Sequence, residues 1–178
     1  LSFSKLLNQK ASHIPSGQHV LNEEYYKRIE AIQFTISHDD GKIINDLDKS
    51  DVILVGSSRT SKTPTSIYLA NRGYKVANIP IISNKNLPEK LIESSKKTFV
   101  VGLVCDVTRL LDVRRNRIQS MYEDRPSEYI NEKDILNELK NSRKIFEKYN
   151  WPIIDVTRKS VEETAASIIK TLDILNSR

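Results

Sequence analysis

A short run of small and polar residues ending in Lys62-Thr63 carries the clearest chemical signal in the sequence. It follows four consecutive apolar residues at 52–55. A buried strand, a tight loop and the start of a helix, in that order, are typical of a phosphate-binding loop of the form G-x-x-x-x-G-K-[ST]. The eight residues predicted to bind the phosphates of a nucleotide are Gly56, Ser57, Ser58, Arg59, Thr60, Ser61, Lys62 and Thr63.

The chemistry of such a loop assigns a role to each part of it. Its backbone N–H groups form a concavity that binds an anion, and the following helix N-terminus adds about half a positive charge. Lys62 would reach the outer phosphates as a catalytic cation, and Thr63 would bind Mg²⁺. Pro64 suits the first turn of the helix, because its missing N–H would have had no intrahelical partner. We predict a helix over 65–72 that ends at Gly73.

One position departs from the standard motif, because Ser61 stands where the second glycine is expected. A residue other than glycine in a left-handed conformation costs roughly 1–2 kcal/mol. The substitution therefore gives some support to an alternative interpretation, in which the stretch is an ordinary turn, rich in Ser and Thr, between a strand and a helix.

Two further groups of ionisable residues are candidates for proton transfer. His38, Asp39 and Asp40 precede Gly41 at the end of a predicted amphipathic helix over 23–37. One of them could accept the proton of an attacking hydroxyl group, as carboxylates do in phosphoryl transfer. The alternative is a solvated turn. Asp106 follows an apolar run over 98–105 and could serve as a general base or form a hydrogen bond to a ligand of a metal ion. The alternative is that it simply caps the next helix.

Basic and polar residues elsewhere allow phosphate or nucleoside contacts. The predicted helix after Asp106 carries four arginines, and at least one of them is expected to face the active site and bind phosphate. These are Arg109, Arg114, Arg115 and Arg117. The other interpretation of this cluster is a solvated helix face. The stretch 155–157 could contact the base or ribose, or it could be a plain strand end.

Strand and helix patterns alternate along the whole chain with short links. This order predicts a doubly wound, mainly parallel α/β sheet of the P-loop type, with helices on both faces. The chain is expected to form a single P-loop kinase-like domain over 1–178, with 1–21 as an irregular linker region. Ligands of such sheets lie beyond the carboxyl ends of the strands, where the loop at 56–63, Asp106 and the stretch 155–157 all fall.

Composition excludes several classes of function. The net charge is +5, from 28 basic and 23 acidic residues, and only 7% of residues are aromatic, so we expect no nucleic-acid partner. No apolar run approaches the about 20 residues of a membrane span, and no signal peptide is evident, so no membrane partner is expected. The single cysteine, Cys105, indicates a buried structural thiol and a cytoplasmic location. Because the chain begins at Leu1, we expect it to be the C-terminal part of a longer chain, without its N-terminal region.

Together these motifs resemble the regulatory proteins of pyruvate, phosphate dikinase and phosphoenolpyruvate synthase. The matching stretches are YYKRIEAI (25–32), HDDG (38–41), GSSRTSKTPTS (56–66), YLANRG (68–73), RRNR (114–117), DVT (155–157) and SVEET (160–164). They cover nearly the whole chain, and the serine in place of the second glycine belongs to the pattern of this family.

The resemblance implies a bifunctional enzyme that acts on the dikinase or the synthase. One activity is an ADP-dependent serine/threonine kinase that phosphorylates a threonine of the target. The other is a phosphorylase that removes the group with inorganic phosphate and releases pyrophosphate. Mg²⁺ is the expected cofactor, and whether the chain forms a homodimer is left open. The alternatives are a P-loop kinase of small molecules and a nucleotide-binding module without catalysis.

Overall fold

Four parallel strands in the order β2-β1-β3-β4 form the sheet that carries the site. The structure is a computed structural model, and it describes residues 23–82, 86–121 and 127–177. The strands are β1 (Val52–Gly56), β2 (Val76–Pro80), β3 (Phe99–Val104) and β4 (Ile153–Asp155). All three strand pairings are parallel, which confirms the predicted parallel α/β fold. The predicted linker over 1–21 lies outside the described residues.

Six helices flank this sheet within the described residues. They are α1 (Glu23–Ser37), α2 (Lys62–Ala70), α3 (Glu89–Ser94), α4 (Val107–Met121), α5 (Glu132–Lys148) and α6 (Val161–Asn176). Short 3₁₀ turns cover Asp39–Gly41, Leu47–Lys49 and Ser127–Ile130. None of the helices in the described ranges is long and apolar enough to cross a bilayer.

The central strand β1 is buried on both of its faces, which explains its unbroken apolar sequence. Val52 and Leu54 join one core cluster with residues of α2, α4 and α6. The alternate residues Ile53 and Val55 join a second cluster that includes Phe146 of α5. Because successive strand side chains point to opposite faces, one apolar run supplies both halves of the core.

Helix boundaries follow local capping rules in the described residues. The Asn131 side chain caps α5 by accepting from the N–H groups of Lys133 and Asp134. Ser160 and Glu163 form the capping box that opens α6, as the SVEE sequence predicts. These caps fix where α5 and α6 begin.

The predicted boundaries near the phosphate loop differ from the observed ones by a few residues. Helix α2 begins at Lys62 rather than Thr65, because the loop closes directly into the helix and Pro64 occupies its first turn. Strand β2 ends at Pro80, although apolar residues continue to Ile82. Proline lacks the N–H that a longer ladder needs, and β2 is an edge strand of the sheet.

A glycine in β3 allows the sheet to approach α5 closely. A Cβ atom at Gly102 would lie 2.4 Å from the ring of Phe146, and that ring is fully buried. We expect Gly102→Ala to lower the free energy of unfolding by about 1–3 kcal/mol, because the ring must move within a packed core. Phe146→Leu should lower the free energy of unfolding less in the Gly102→Ala variant than in the wild type. Urea unfolding of the four proteins measures this coupling, and strict additivity would contradict the packing described.

Candidate nucleotide-binding site

The loop that follows β1 begins at a glycine that no larger residue can replace. A Cβ atom at Gly56 would lie 2.5 Å from the carbonyl oxygen of Leu103 and 3.0 Å from Oγ1 of Thr60. The first of these is backbone of the neighbouring strand, so it cannot rotate away. Gly56 therefore lets the chain turn out of the sheet between β2 and β3, at the carboxyl edge where ligands of such sheets bind.

Two residues of the loop adopt left-handed backbone conformations without being glycine. Arg59 has φ = 73° and Ser61 has φ = 60°. Ser61 is thus the strained residue that its position in the motif suggested, and it stands directly before α2. Strain of this kind costs about 1–3 kcal/mol and is concentrated at functional sites in proteins.

The backbone of this loop presents a run of unused hydrogen-bond donors. The N–H groups of residues 58–63 donate to no acceptor among the described residues. Unpaired N–H groups on a turn that leads into a helix N-terminus form an anion-binding concavity. The loop therefore has the donors that an anion site needs, and nucleotide binding by these residues stays a prediction.

Lys62 points back into the loop, and its side chain is only 5% exposed. Its Nζ donates to the carbonyl oxygen of Ser57 at 2.8 Å. Burial lowers the pKa of Lys62 to about 8, against the opposing effect of three nearby carboxylates and with a small contribution from the Arg114 guanidinium. The carboxylates are, in order of effect, Asp40, Glu138 and Asp39. An anion bound at the loop would therefore meet a lysine that burial has deprived of water.

Thr63, which is exposed, is tied to a carboxylate from another segment. Its Oγ1 donates to Oδ1 of Asp39 at 3.0 Å. The Nδ2 of Asn78 donates to the same carboxylate oxygen and lies 3.0 Å from Thr63 Oγ1. The three side chains hold α2 and the turn Asp39–Gly41 together across the end of β2.

Asn78 was not predicted as a site residue. It is 1% exposed, and its Oδ1 has no hydrogen-bond partner among the described residues. The sequence signal was a lone amide between Ala77 and Ile79 in an otherwise apolar strand. A buried polar side chain of this kind usually has a specific partner, and here that partner is Asp39.

Asp40 occupies a different environment from its neighbour Asp39. It is exposed, and its backbone is left-handed at φ = 57° and ψ = 31°. The turn packs on the end of β2, since a Cβ atom at Gly41 would lie 3.5 Å from Cδ of Pro80. Of the two carboxylates, Asp40 is the one open to an incoming hydroxyl group, whereas Asp39 is held by Thr63 and Asn78.

The structure places His38 inside the fold. It is 3% exposed, and its ring stacks on Phe34 with centroids 3.8 Å apart. Its Nε2 lies 2.8 Å from Oδ1 of Asp46, and its Nδ1 lies 2.7 Å from the carbonyl oxygen of Phe34. The hydrogen bond between His38 and Asp46 lowers the pKa of the Asp46 carboxyl. With both ring nitrogens engaged, His38 anchors the segment that carries Asp39 and Asp40.

Asp106 caps a helix in this structure. Its Oδ1 accepts from the N–H of Arg109 at 2.6 Å, and its own N–H donates to Oγ1 of Thr157. Thr157 in turn donates to Asp155. The strand ends of β3 and β4 are thereby joined, and the capping alternative accounts for the observed contacts of Asp106. A catalytic role for Asp106 stays a prediction.

One of the four arginines in α4 reaches the phosphate loop. Arg114 is 2% exposed, and its Nη2 donates to the carbonyl oxygen of Ser58 at 3.2 Å. Its guanidinium also pairs with both carboxylate oxygens of Glu138. The exposed Arg109 and Arg115 fit the alternative of a solvated helix face. The sequence analysis did not single out Arg114, although its spacing of four and three residues from the buried Leu110 and Leu111 places it on the apolar face of α4.

The burial of Lys62 has a measurable consequence for stability. Below about pH 8 the amine is protonated in both the folded and the unfolded chain, so the cost of burying its charge is fully present. Between about pH 8 and 10.5 the unfolded chain binds more protons, so stability rises with pH. The unfolding free energy of the wild type should therefore rise relative to Lys62→Met by up to about 3 kcal/mol over this range.

Urea unfolding between pH 7 and 10 measures that difference. Lys140→Met is the matched control, because Lys140 is an exposed lysine on α5. No comparable change is expected for the control. If the difference in unfolding free energy between the wild type and Lys62→Met did not change with pH, the Lys62 amine would be hydrated.

The chain matches the family described as kinase/pyrophosphorylase over residues 1–169. A pyruvate, phosphate dikinase regulatory protein of Pelagibacter ubique is 60% identical, over 98% of this chain and 64% of the relative. Similarly named proteins of Caulobacter vibrioides and Bartonella henselae are 47% and 51% identical, over 96% and 88% of this chain and 54% and 57% of their own lengths.

This chain therefore spans between about half and two thirds of the length of these curated relatives. The matched part includes both the phosphate loop and the turn that carries Asp39 and Asp40. The match over residues 1–169, supported by 60% identity to a named relative, shows that this chain belongs to the kinase/pyrophosphorylase family.

Proposed function

We propose that the protein is a bifunctional phosphotransferase that regulates pyruvate, phosphate dikinase, or phosphoenolpyruvate synthase, through one threonine of the target. The observation that carries this proposal is the unpaired N–H run of residues 58–63 with the Lys62 amine beside it and the exposed Asp40 carboxylate near it. These features supply an anion site, a cation and a base. The names of the relatives supply the identity of the target.

In the kinase direction the loop would hold the β-phosphate of ADP. The hydroxyl oxygen of the target threonine attacks the β-phosphorus, the bond from that phosphorus to the bridging oxygen breaks, and AMP leaves. Asp40 accepts the threonine proton, since it is exposed while Asp39 is held by Thr63 and Asn78. Lys62 and the loop N–H groups stabilise the charge that spreads over the transferred phosphoryl oxygens.

In the phosphorylase direction the same loop would hold inorganic phosphate as the attacking group. An oxygen of the phosphate attacks the phosphorus of the phosphothreonine, and the bond from that phosphorus to the threonine oxygen breaks. The threonine oxygen takes a proton from Asp40, and the newly formed pyrophosphate is released. A single anion site and a single base therefore serve both directions. One site and one base suffice because both reactions form or break a bond between phosphorus and the same threonine oxygen.

The donor set near Thr63 fits a magnesium ion. Thr63 Oγ1 and the carboxylate of Asp39 lie 3.0 Å apart, and Mg²⁺ is commonly held by one or two protein oxygens together with substrate phosphates. When bound, Mg²⁺ neutralises charge on the phosphate oxygens. Asp39, fixed by Asn78, would orient Thr63 for this task.

An assay with three outcomes tests the proposed function. The protein is incubated with ADP or ATP and with a dikinase whose catalytic histidine is phosphorylated. We expect threonine phosphorylation with ADP and its reversal by phosphate with release of pyrophosphate. Activity only with ATP and a small metabolite would indicate a small-molecule kinase, and tight nucleotide binding without transfer would indicate a binding module.

Lys62→Ala is expected to abolish both directions of the reaction while the fold persists, because both use the same phosphate site. Circular dichroism checks the fold, and phosphothreonine detection and pyrophosphate release measure the two directions. If either direction kept a near wild-type rate in this variant, the assignment of the loop would be wrong.

Replacing Asp40 should separate catalysis from binding. Asn tolerates the left-handed backbone of this position, so Asp40→Asn removes the base without adding strain. We expect kcat to fall about 10²- to 10⁴-fold in both directions, with little change in the affinity for ADP. Asp48→Asn, which removes an exposed carboxylate from the nearby turn Leu47–Lys49, is the matched control. Equal rates for the two variants would exclude Asp40 as the base.

A further inference from the structure

The orientation of each peptide group constrains a loop that binds phosphate through its backbone. The N–H and C=O groups flanking a planar trans peptide bond point in opposite directions. Each N–H that faces the phosphate therefore turns a carbonyl oxygen away from it. That carbonyl must be satisfied elsewhere, because an unpaired buried carbonyl is costly and would favour a flipped peptide.

The first three carbonyl oxygens of this loop each accept a hydrogen bond from a protein group. The carbonyl oxygen of Gly56 accepts from the N–H of Ile81 at 3.0 Å. That of Ser57 accepts from Thr60 Oγ1 and from Lys62 Nζ. The carbonyl oxygen of Ser58 accepts from Arg114 Nη2 at 3.2 Å. The first two acceptors are satisfied by groups within the loop and by the strand segment beside it, whereas the third depends on a side chain 56 residues away.

Arg114 is held firmly in place for this contact. Its two terminal nitrogens each bind one oxygen of the Glu138 carboxylate, at 3.0 and 2.9 Å. Nη1 also donates to the carbonyl oxygen of Tyr129, and the guanidinium lies 4.5 Å from the centroid of the Tyr129 ring. Both terminal nitrogens therefore bind protein oxygens, and the side chain is 2% exposed. Its two terminal nitrogens are therefore not free to clamp a phosphate, whereas its buried Nε has no hydrogen-bond partner among the described residues.

Helix α5 supports the same loop at a second point. Ser142 lies one turn after Glu138, and its Oγ is 3.2 Å from Oγ of Ser57. The Ser142 hydroxyl also donates to the carbonyl oxygen of Glu138. Residues 57 and 58 are thus linked through Ser142, Glu138 and Arg114 into one closed set of contacts.

We propose that Arg114, oriented by Glu138, is a positioning residue for phosphate binding. By taking the carbonyl of Ser58 it fixes the peptide between Ser58 and Arg59, so the N–H of Arg59 faces the opposite side, towards the anion. The left-handed backbone of Arg59 is the strained conformation that this contact helps to hold. The inference rests on the proposed use of the loop for phosphate and not on the identity of the reaction or the target.

The test measures binding and does not require catalysis. ADP and inorganic phosphate are titrated by calorimetry into the wild type, Arg114→Lys and Glu138→Gln, at a temperature where circular dichroism shows all of them folded. Arg115→Lys is the matched control, because Arg115 is the exposed neighbour on the same helix. Loss of a hydrogen bond to a charged group is worth about 1.5–3 kcal/mol, so we expect Kd for both ligands to rise about 10- to 100-fold. The control should stay within about twofold of the wild type, because an exposed side chain away from such contacts contributes little.

Two further variants make the result specific. The Arg114→Lys/Glu138→Gln double variant should bind ADP about as weakly as either single variant, because both act through one contact to Ser58. Ser142→Ala removes only the neighbouring support and should weaken ADP binding by a few-fold, which keeps the test usable if the Arg114 variants do not fold. We expect the same pattern for inorganic phosphate.

Unchanged Kd values in folded Arg114→Lys and Glu138→Gln, with only a lower melting temperature, would overturn the proposal and leave Arg114 a purely structural residue. A wild type that binds neither ADP nor phosphate would also overturn it. Loss of binding in the variants, together with no phosphoryl transfer by the wild type, would support the positioning role while rejecting the proposed function.

Discussion

A loop can bind an anion through its backbone only if the carbonyl oxygens of the same peptides are satisfied by other groups. This constraint organises the described part of the protein. The close approach of Gly56 to β3 turns the chain out of the sheet, and the carbonyls of residues 56–58 are then taken by Ile81, Lys62 and Arg114. Each of these donors comes from a different segment, so the loop conformation depends on the packing of β2, α2 and α4 against β1.

The same arrangement places charges where water is scarce. Lys62 and Arg114 are nearly fully buried, and Glu138 lies beside both of them. A buried arginine is tolerable because its carboxylate partner binds it at two points, whereas the buried lysine shifts its pKa to about 8. The two buried side chains are therefore accommodated differently. Arg114 is paired with a carboxylate, and Lys62 loses its proton more readily than a lysine in water does. Asp40, by contrast, is exposed to solvent.

Sequence reasoning predicted much of the fold because local signals were strong. The run in β1, the caps at Asn131 and Ser160 and the alternation of strands with helices are all read from neighbours in the chain. It was less successful where contacts join distant segments. Asn78 was overlooked because an amide in a strand has no motif of its own, and the burial of His38 follows from Phe34 and Asp46 rather than from its neighbours in HDDG.

The sequence by itself determined that a loop of small and polar residues follows a buried strand, that a helix begins close to its Lys-Thr pair, and that carboxylates stand near the ends of other elements. These conclusions rest on residue types at fixed short spacings, which local backbone geometry converts directly into structure. Only the tertiary structure decided which carboxylate is held by Thr63, which is open, and that the carbonyl oxygen of Ser58 is the partner of Arg114. The physical reason is that burial and hydrogen bonding at those positions are set by segments up to 56 residues apart, whose packing no local pattern encodes.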